Sequence, residues 1–580
     1  MIKPTYHFLI LLPLIFISFG AATQVPSIID YGARFHPLSS PKGMVVSQER
    51  VASKVGAEIL AQGGNAIDAA VATGFALAVT LPQAGNIGGG GFMLVYLAEQ
   101  KRTVAIDYRE IAPQLAGKDL FLDEKGDVDE TKARYSHYSA GVPGTVAGLI
   151  HALERYGRLP LAQVLKPAIT LAEQGIRVTP SLAYSLRQAE QRLRKSKASE
   201  AYFFRQDGSL LQEGDLWQQQ DLAKTLRQIA EKGKAAFYKG LIAKQIVAEM
   251  AAHKGLISLN DLANYKVVER EAVTGTYRGY TVAAMPPPSS GGVHLVQMLN
   301  ILEGWDLKAL GHNSGEYLHR LIESMRRAYA DRSKYLGDPD FNPVPVELLT
   351  SKRYAKTLRD AITLDKAKPS SEVAPGLPAP YESPQTTHFS VWDTQGNVVS
   401  NTYTLNFSYG SGISVTGAGF LLNNEMDDFS AKPGVPNAYG LIGGLANAIE
   451  PGKRPLSSMT PTIVFKNDSE GEPAVFTTGS PGGSTIINTV LQTVLNVIDF
   501  DMNIAEAAAA PRIHHQWQPD KVFVEPGLNI DTQNILRAKG HAVVRSPRVI
   551  GRTQTISSDG VNTYGANDYR WPGGGAVAQP

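Results

Sequence analysis

Cysteine is missing from the whole 580-residue chain. That absence excludes a cysteine nucleophile, a thiolate zinc site, a cysteine-ligated iron–sulfur cluster and any disulfide. An excess of one charge is missing too: 56 Lys and Arg balance 54 Asp and Glu, for a formal net charge of +2. No global field therefore draws the chain toward nucleic acid or an anionic membrane. The one basic cluster, Arg192-Leu193-Arg194-Lys195-Ser196-Lys197, reads as a solvated helix face. The H-E-x-x-H pattern is absent among the 12 histidines. His514 and His515 are adjacent and would face opposite ways on a strand, so they read as structural, and no metal site is expected. Long apolar runs are absent beyond the amino terminus. There, Lys3, the apolar stretch Phe8 to Phe19 and the small residues Gly20-Ala21-Ala22 form a signal-peptide pattern cut after Ala22. The apolar stretch is shorter than the about 20 residues that cross a bilayer. The expectation is an exported, periplasmic protein with no membrane span once the signal is removed.

What the chain does have is 43% hydrophobic residues, 55 glycines and 35 prolines, a globular composition rich in tight turns. Helical spacing runs from Val46 to Thr80, with an alanine-rich helix starting near Gly63 to Ala70 that can pack very closely. Gly88 to Gly91 lead into the buried strand Met93–Leu97. No Gly-Lys-Ser/Thr follows, so the glycines read as close backbone packing instead of a phosphate cradle. Ala105 to Arg109 is a short strand ending on a charge. Residues 144–265 look mainly helical, with amphipathic stretches at Leu149–Tyr156, Leu161–Glu173 and Leu222–Ile242. A strand at Tyr280–Ala284, the rigid turn Pro286 to Gly292 and helices at His294–Leu302 and Glu316–Tyr335 follow. Beyond them come strands at Thr460–Phe465 and Ala474–Thr478, and an apolar helix at Ile486–Val497. Alternating strands and close-packing helices indicate a layered α/β architecture.

The most informative run is Gln385-Thr386-Thr387-His388-Phe389-Ser390. Before it, Pro369, Pro375, Pro378, Pro380 and Pro384 exclude a helix or a central strand. After it, Phe389–Trp392, the turn Asp393 to Asn397 and Val398–Leu405 read as a β-hairpin. The local pattern fits a linker before an ordinary hairpin. Taken alone it favours the linker, but it also admits a cut site, because cleavage before Thr386 would put a free α-amine beside that residue's own hydroxyl, a nucleophile and its base in one residue.

Five separated motifs decide between these readings. They are Gln385 to His388, Thr402 to Asn406, Asn424 to Phe429, Pro455 to Met459 and Gly479 to Ser484. Together they closely resemble the γ-glutamyltranspeptidases, which are N-terminal-nucleophile hydrolases, and the resemblance extends to Gly88–Phe92, Arg109-Glu110 and Pro286–Gly292. It implies a four-layer αββα sandwich built jointly by a large subunit (23–385) and a small subunit (386–580), released from a precursor behind a signal at 1–22. The bond Gln385–Thr386 matches the self-cleavage site and Thr386 the nucleophile, with Thr404 orienting it. Gly482 and Gly483 match the oxyanion hole. Arg109, Ser457 and Ser458 match the contacts to the substrate's α-carboxylate, and Asn406, Glu425 and Asp428 those to its α-amine. Tyr439 matches the aromatic of a lid over the site. The resemblance implies no cofactor. It implies γ-glutamyl donors such as glutathione, transferred to water, amino acids or short peptides. The alternative within the fold is a cephalosporin or glutaryl acylase, whose acyl group lacks the α-amine. Near the carboxyl end, Tyr569 stands where many members have proline, which leaves the packing of the tail open.

Overall fold

Thr386 opens the innermost hairpin of the molecule. In the computed structural model, which describes residues 34–373, 386–432, 434–435, 443–467 and 473–580, strands Thr387–Trp392 and Val398–Thr404 pair antiparallel around the turn at Asp393–Asn397. Asp393 closes that turn by accepting from the backbone N–H of Gln395 and of Asn397. Six positions along the first strand and seven along the second are buried, so the hairpin lies in the interior. Gln385, Tyr439 and the expected signal segment 1–22 lie outside the described residues.

The hairpin sits in the middle of a seven-stranded sheet whose order is Gly575–Ala578, Met44–Ser47, Thr387–Trp392, Val398–Thr404, Gly90–Leu97, Arg102–Tyr108 and Val268–Arg270. All neighbours run antiparallel. Segments before and after residue 386 therefore interleave within one hydrogen-bonded ladder. A second antiparallel seven-stranded sheet runs Leu38–Ser40, Thr563–Asn567, Gln554–Ser558, Ala474–Thr478, Thr462–Lys466, Tyr280–Ala284, Val273–Tyr277. Phe35 to Pro580 form one compact unit.

The period of two along the strands sorts the core into layers. Val45, Met93, Val95, Ile106, Phe389 and Val391 point to one side and pack with helices Arg50–Ala61, Ala66–Thr80, Thr145–Tyr156, Leu161–Gln174 and Gln220–Lys232. Met44, Val46, Phe92, Leu94 and Tyr96 point to the other and pack with the second sheet. Tyr96 meets Phe465 edge-on at 4.9 Å. Helices Gly291–Leu302, Gly315–Tyr335 and Thr485–Ile498 complete the second cluster. The order is αββα from helix layer to helix layer, as the family resemblance implies.

Helix Ala66–Thr80 is buried at every position, and Asn65 caps it in a capping box with Asp68. Its small residues let it approach closely, as expected. The glycine run behaves likewise: a Cβ at Gly89 would collide with the carbonyl of Thr404 on the neighbouring strand. Some expected boundaries move. The stretch Leu222–Ile242 is three helices, broken at Gly233 and Gly240, with Gly233 at φ 59°. The strand expected from Thr460 begins at Thr462, after Pro461, which has no N–H to give a ladder. Met44–Ser47, expected to turn helical from Val46, is a strand because both of its edges find partners, Thr387–Trp392 and Gly575–Ala578. The second pairing also locates the tail, which ends as an edge strand. Tyr569 stacks on Phe35 at 5.1 Å and its hydroxyl donates to the Ala509 carbonyl.

Candidate active site

Register places the two threonines side by side. Thr387 pairs with Tyr403, so one step earlier Thr386 stands opposite Thr404, with their Oγ1 atoms 3.4 Å apart. On the same face follow His388 and Ser390 opposite Thr402 and Ser400, and here the space between the sheets is polar. His388 Nδ1 lies 2.8 Å from Thr402 Oγ1 and its Nε2 3.1 Å from Ser390 Oγ. Burial lowers His388 to about 3 from the ordinary 6.5, so this imidazole is neutral. After Thr404 the chain reverses at Asn406, whose φ of 70° is a conformation asparagine tolerates better than most residues. The reversal brings the Asn406 N–H to 2.8 Å from Thr404 Oγ1. From the other side Asn86 clamps the same strand end, donating from Nδ2 to the Thr404 carbonyl and accepting from the Gly89 N–H.

Thr386, Thr404, Asn406, Arg109, Glu425, Asp428, Ser457, Ser458 and Gly483 line one small cavity of ≈ 20 Å³, about the space of one water. Arg109 follows the strand Arg102–Tyr108 directly and is fully buried. Its guanidinium pairs with Glu425, with Asp428 at 2.5 Å and with Glu110 at 3.5 Å. Glu425 and Asp428 are held on one 3₁₀ turn, Glu425–Asp428, where the Asn423 side chain accepts from the Glu425 N–H at 3.0 Å. Burial works against the Arg109 charge, yet the three acids outweigh it and hold the guanidinium protonated. Burial pushes Glu425, Asp428 and Glu110 above the usual carboxylate range, with Arg109 opposing.

Ser457 and Ser458 are braced from the rigid turn. Ser290 donates to the Ser457 carbonyl from both its N–H and its hydroxyl, each at 2.8 Å, and the Ser457 N–H donates to the Pro288 carbonyl at 2.9 Å. A second cation arrives from helix Gly315–Tyr335: Arg332 donates to Ser290 Oγ at 3.0 Å and to Ser458 Oγ at 3.2 Å. Gly482 and Gly483, at φ 141° and 56°, make a turn that only glycine enters easily, and helix Thr485–Ile498 starts just after it. The carbonyl of Gly482 accepts from Thr485 and that of Gly483 from the Ile486 N–H.

Eight of the residues expected from sequence thus meet in one cavity with Gly483, while Gly482 lines a second cavity alongside. Tyr439 lies outside the described residues. Sequence reasoning missed Arg332 and Asn86. Neither carries a local signal, since Arg332 is one of several arginines on an amphipathic helix. The pair His514 and His515 is structural as expected: both are buried, bonded to Asn488, Gln516 and Asp520. Elsewhere, His137, Glu249 and His253 bring ligating atoms within 4.8 Å of one another. The two imidazoles stack at 4.4 Å with planes 14° apart. Their in-plane lone pairs run side by side instead of converging, and the trio is two imidazoles sharing one carboxylate.

Against this geometry stand the known proteins. The family model for gamma-glutamyltranspeptidase matches residues 52–578. The chain belongs to the gamma-glutamyltranspeptidase family. A "Glutathione hydrolase proenzyme" of Escherichia coli is 51% identical over 578 residues, covering 98% of each chain. The gamma-glutamyltranspeptidase structure from Helicobacter pylori matches at 49% identity and TM-score 0.56, over 56% of this chain and 93% of that one. A cephalosporin acylase structure from Bacillus halodurans matches at 30% identity and TM-score 0.83, over 95% and 98%. The acylase shares the whole fold and the transpeptidase the closer sequence. The family model and the Escherichia coli relative show the family, and both solved structures share the fold. No helix among the described residues is long and apolar enough to cross a membrane.

Proposed function

We propose that the chain is an exported γ-glutamyltransferase and glutathione hydrolase, acting in the periplasm after cleavage between Gln385 and Thr386. The observation that carries this reading is the mixed charge of the cavity beside Thr386. A γ-glutamyl group presents a zwitterion, and Arg109 with Glu425 and Asp428 offers one cation and two anions to it. Without substrate Arg109 pairs with both acids. With substrate, the α-carboxylate takes the guanidinium and the hydroxyls of Ser457 and Ser458, and the α-ammonium takes Glu425, Asp428 and Asn406.

In the precursor, the Thr386 hydroxyl attacks the Gln385 carbonyl, the peptide nitrogen leaves as the new α-amine, and water opens the resulting ester. The large (23–385) and small (386–580) subunits stay joined because the first sheet interleaves their strands. The freed α-amine, with an unperturbed pKa of about 7.7–8.0, accepts the hydroxyl proton near neutral pH. Thr404 orients the hydroxyl, and Thr386 Oγ1 adds to the donor's γ-carbonyl. The Gly482 and Gly483 N–H groups and the amino-terminal end of helix Thr485–Ile498 stabilise the oxyanion. The leaving amine takes the proton back from the Thr386 ammonium, and the γ-glutamyl ester passes to water or to an amine acceptor. Tyr439 covers the site in this reading.

The acylase alternative places an anionic glutaryl group, with no ammonium, against Glu425 and Asp428, where like charges repel. The test is hydrolysis of γ-glutamyl against glutaryl p-nitroanilide, paired with amino-terminal sequencing. A preference of about 100-fold or more for the γ-glutamyl compound and a chain starting at Thr386 are expected. A glutaryl preference, or full activity in an uncut chain, would overturn the reading.

A further inference from the structure

Helix Gly315–Tyr335 reaches the cavity of Thr386 with one face. Tyr329 and Arg332, three residues apart, are neighbours on that face. The Tyr329 hydroxyl donates to the carbonyl of Ser484, just beyond the Gly482–Gly483 turn. Arg332 donates to Ser290 Oγ and Ser458 Oγ, and it lines the cavity together with Ser458 and Ser484. One helix thus braces the glycine turn and the paired serines together. Arg332 is 4% exposed and belongs to the last helical turn, where the carbonyl end of the helix favours a cation.

The hydroxyls around Arg332 are arranged against local habit. Ser290 immediately precedes helix Gly291–Leu302, where a serine side chain normally caps the first N–H groups, yet it makes no capping bond. It donates instead to the Ser457 carbonyl and accepts from Arg332. Ser457 Oγ accepts from the Met459 N–H at 3.1 Å, and Ser458 Oγ accepts from Arg332 at 3.2 Å. A hydroxyl carries one hydrogen and two lone pairs. In both serines a lone pair is engaged, and neither gives its hydrogen to a partner among the described residues. Both side chains are buried, where polar groups are normally satisfied. Two adjacent hydroxyl hydrogens left over at a cavity wall fit the two oxygens of a carboxylate.

We propose that Arg332 is a positioning residue for carboxylate recognition: it fills a lone pair of Ser458 Oγ, holds Ser290 under Ser457, and so turns the Ser458 hydroxyl hydrogen toward the α-carboxylate of the donor. The proposal rests on the γ-glutamyl reading above and adds to it a second cation that works through a hydroxyl. Donation from a charged guanidinium also draws electron density from Oγ, which makes that hydroxyl a stronger donor in turn.

The test compares γ-glutamyl p-nitroanilide with γ-aminobutyryl p-nitroanilide, which keeps the amine and lacks the α-carboxylate. The ratio of their kcat/KM values is read in the native enzyme, in Arg332→Met, Arg332→Lys and Ser458→Ala, and with Ser458→Ala and Arg332→Met together. Each preparation is its own reference, so incomplete folding or processing cancels from the ratio. Arg332→Met is expected to lower the ratio about 10-fold, mainly through a higher KM for the γ-glutamyl compound, and Arg332→Lys to lower it less. Ser458→Ala lowers it by a similar factor. Adding Arg332→Met to Ser458→Ala costs less than about 3-fold more, because the guanidinium acts through that hydroxyl. A residue that only supports the fold would affect both substrates alike. A ratio that Arg332→Met leaves at the native value, or losses that multiply in the double variant, would overturn the positioning role. If Arg332→Met yields no folded enzyme, the native ratio persisting in both Arg332→Lys and Ser458→Ala overturns it. A native enzyme that cleaves no γ-glutamyl compound overturns instead the function on which the proposal rests.

Discussion

Beside Thr386, Arg109 is closed against Glu425 and Asp428 in ≈ 20 Å³, whereas beyond Gly482 three arginines share ≈ 490 Å³ with no lining acid. The first cavity holds both signs, and binding a zwitterion there exchanges one set of ion pairs for another. The second is lined by one sign, with Asp568 behind it offsetting the Arg552 charge in part. Buried charges that lack partners cost several kcal/mol in general. The difference lies in charge balance: the cavity beside Thr386 pairs a cation with acids of its own, and the cavity beyond Gly482 is lined by arginines without an acid among the described residues.

The comparison can be broken most severely at Thr386. Thr386→Ala is expected to remain a single uncut chain on a denaturing gel and to lose at least about 10⁴-fold in kcat. A variant that still splits would remove Thr386 from the processing step. Arg109→Gln comes next. It leaves Glu425, Asp428 and Glu110 facing one another without their paired guanidinium, with Arg332 the remaining cation of the cavity, so urea denaturation should report a loss of about 3 kcal/mol. Its kcat/KM for a γ-glutamyl anilide should fall about 10²- to 10³-fold. Undiminished stability would mean that this pairing contributes nothing.

Acid tests the buried imidazoles between the sheets and behind them. Burial holds His388 near 3, and His514 and His515 near 4, against an ordinary 6.5. Below 6.5 the unfolded chain takes up protons that the folded chain refuses. Stability is therefore complete above 6.5 and falls as the pH drops toward 4, by about 1.4 kcal/mol per pH unit for each such histidine. Urea titrations at pH 7, 6 and 5 should show the decline; a flat profile would contradict it. Thr404→Ala removes the hydroxyl 3.4 Å from Thr386 Oγ1, which also accepts from the Asn406 N–H, and under the proposed function a fall of about 10- to 100-fold in kcat is expected from steady-state kinetics. The smallest effect sharpens the contrast most. Arg552→Gln removes a cation that the fold does not pair, and its melting temperature should match or exceed that of the native protein, opposite to Arg109→Gln.

Much of the first cavity was legible because its parts are local or motif-borne. Thr386 and Thr404 are brought together by a hairpin whose turn, Asp393 to Asn397, can be read directly, and Glu425 with Asp428 share one turn of chain. Arg109 announces itself as a charge at the end of an apolar strand. Arg332 does not, because its reach to Ser290 and Ser458 depends on how helix Gly315–Tyr335 lies against the rigid turn. The second cavity was invisible. It collects Tyr135, Arg192, Phe407, Gly482, Arg552 and Trp571 from separate segments, and Arg192 looked like one more solvated cation in a basic run.

The amino-acid sequence alone determined the strand periods, the hairpin, the proline-rich approach to Thr386 and the short motifs around it, since these depend on backbone preferences and neighbours a few residues away. Tertiary structure decided what lies across from them. Pairing of Met44–Ser47 with both the hairpin and the carboxyl-terminal strand, the clamp of Asn86 on Thr404 and the gathering of three arginines around one void arise from contacts between distant segments. Such contacts follow from layer packing and sheet register, and no local pattern of residues encodes them.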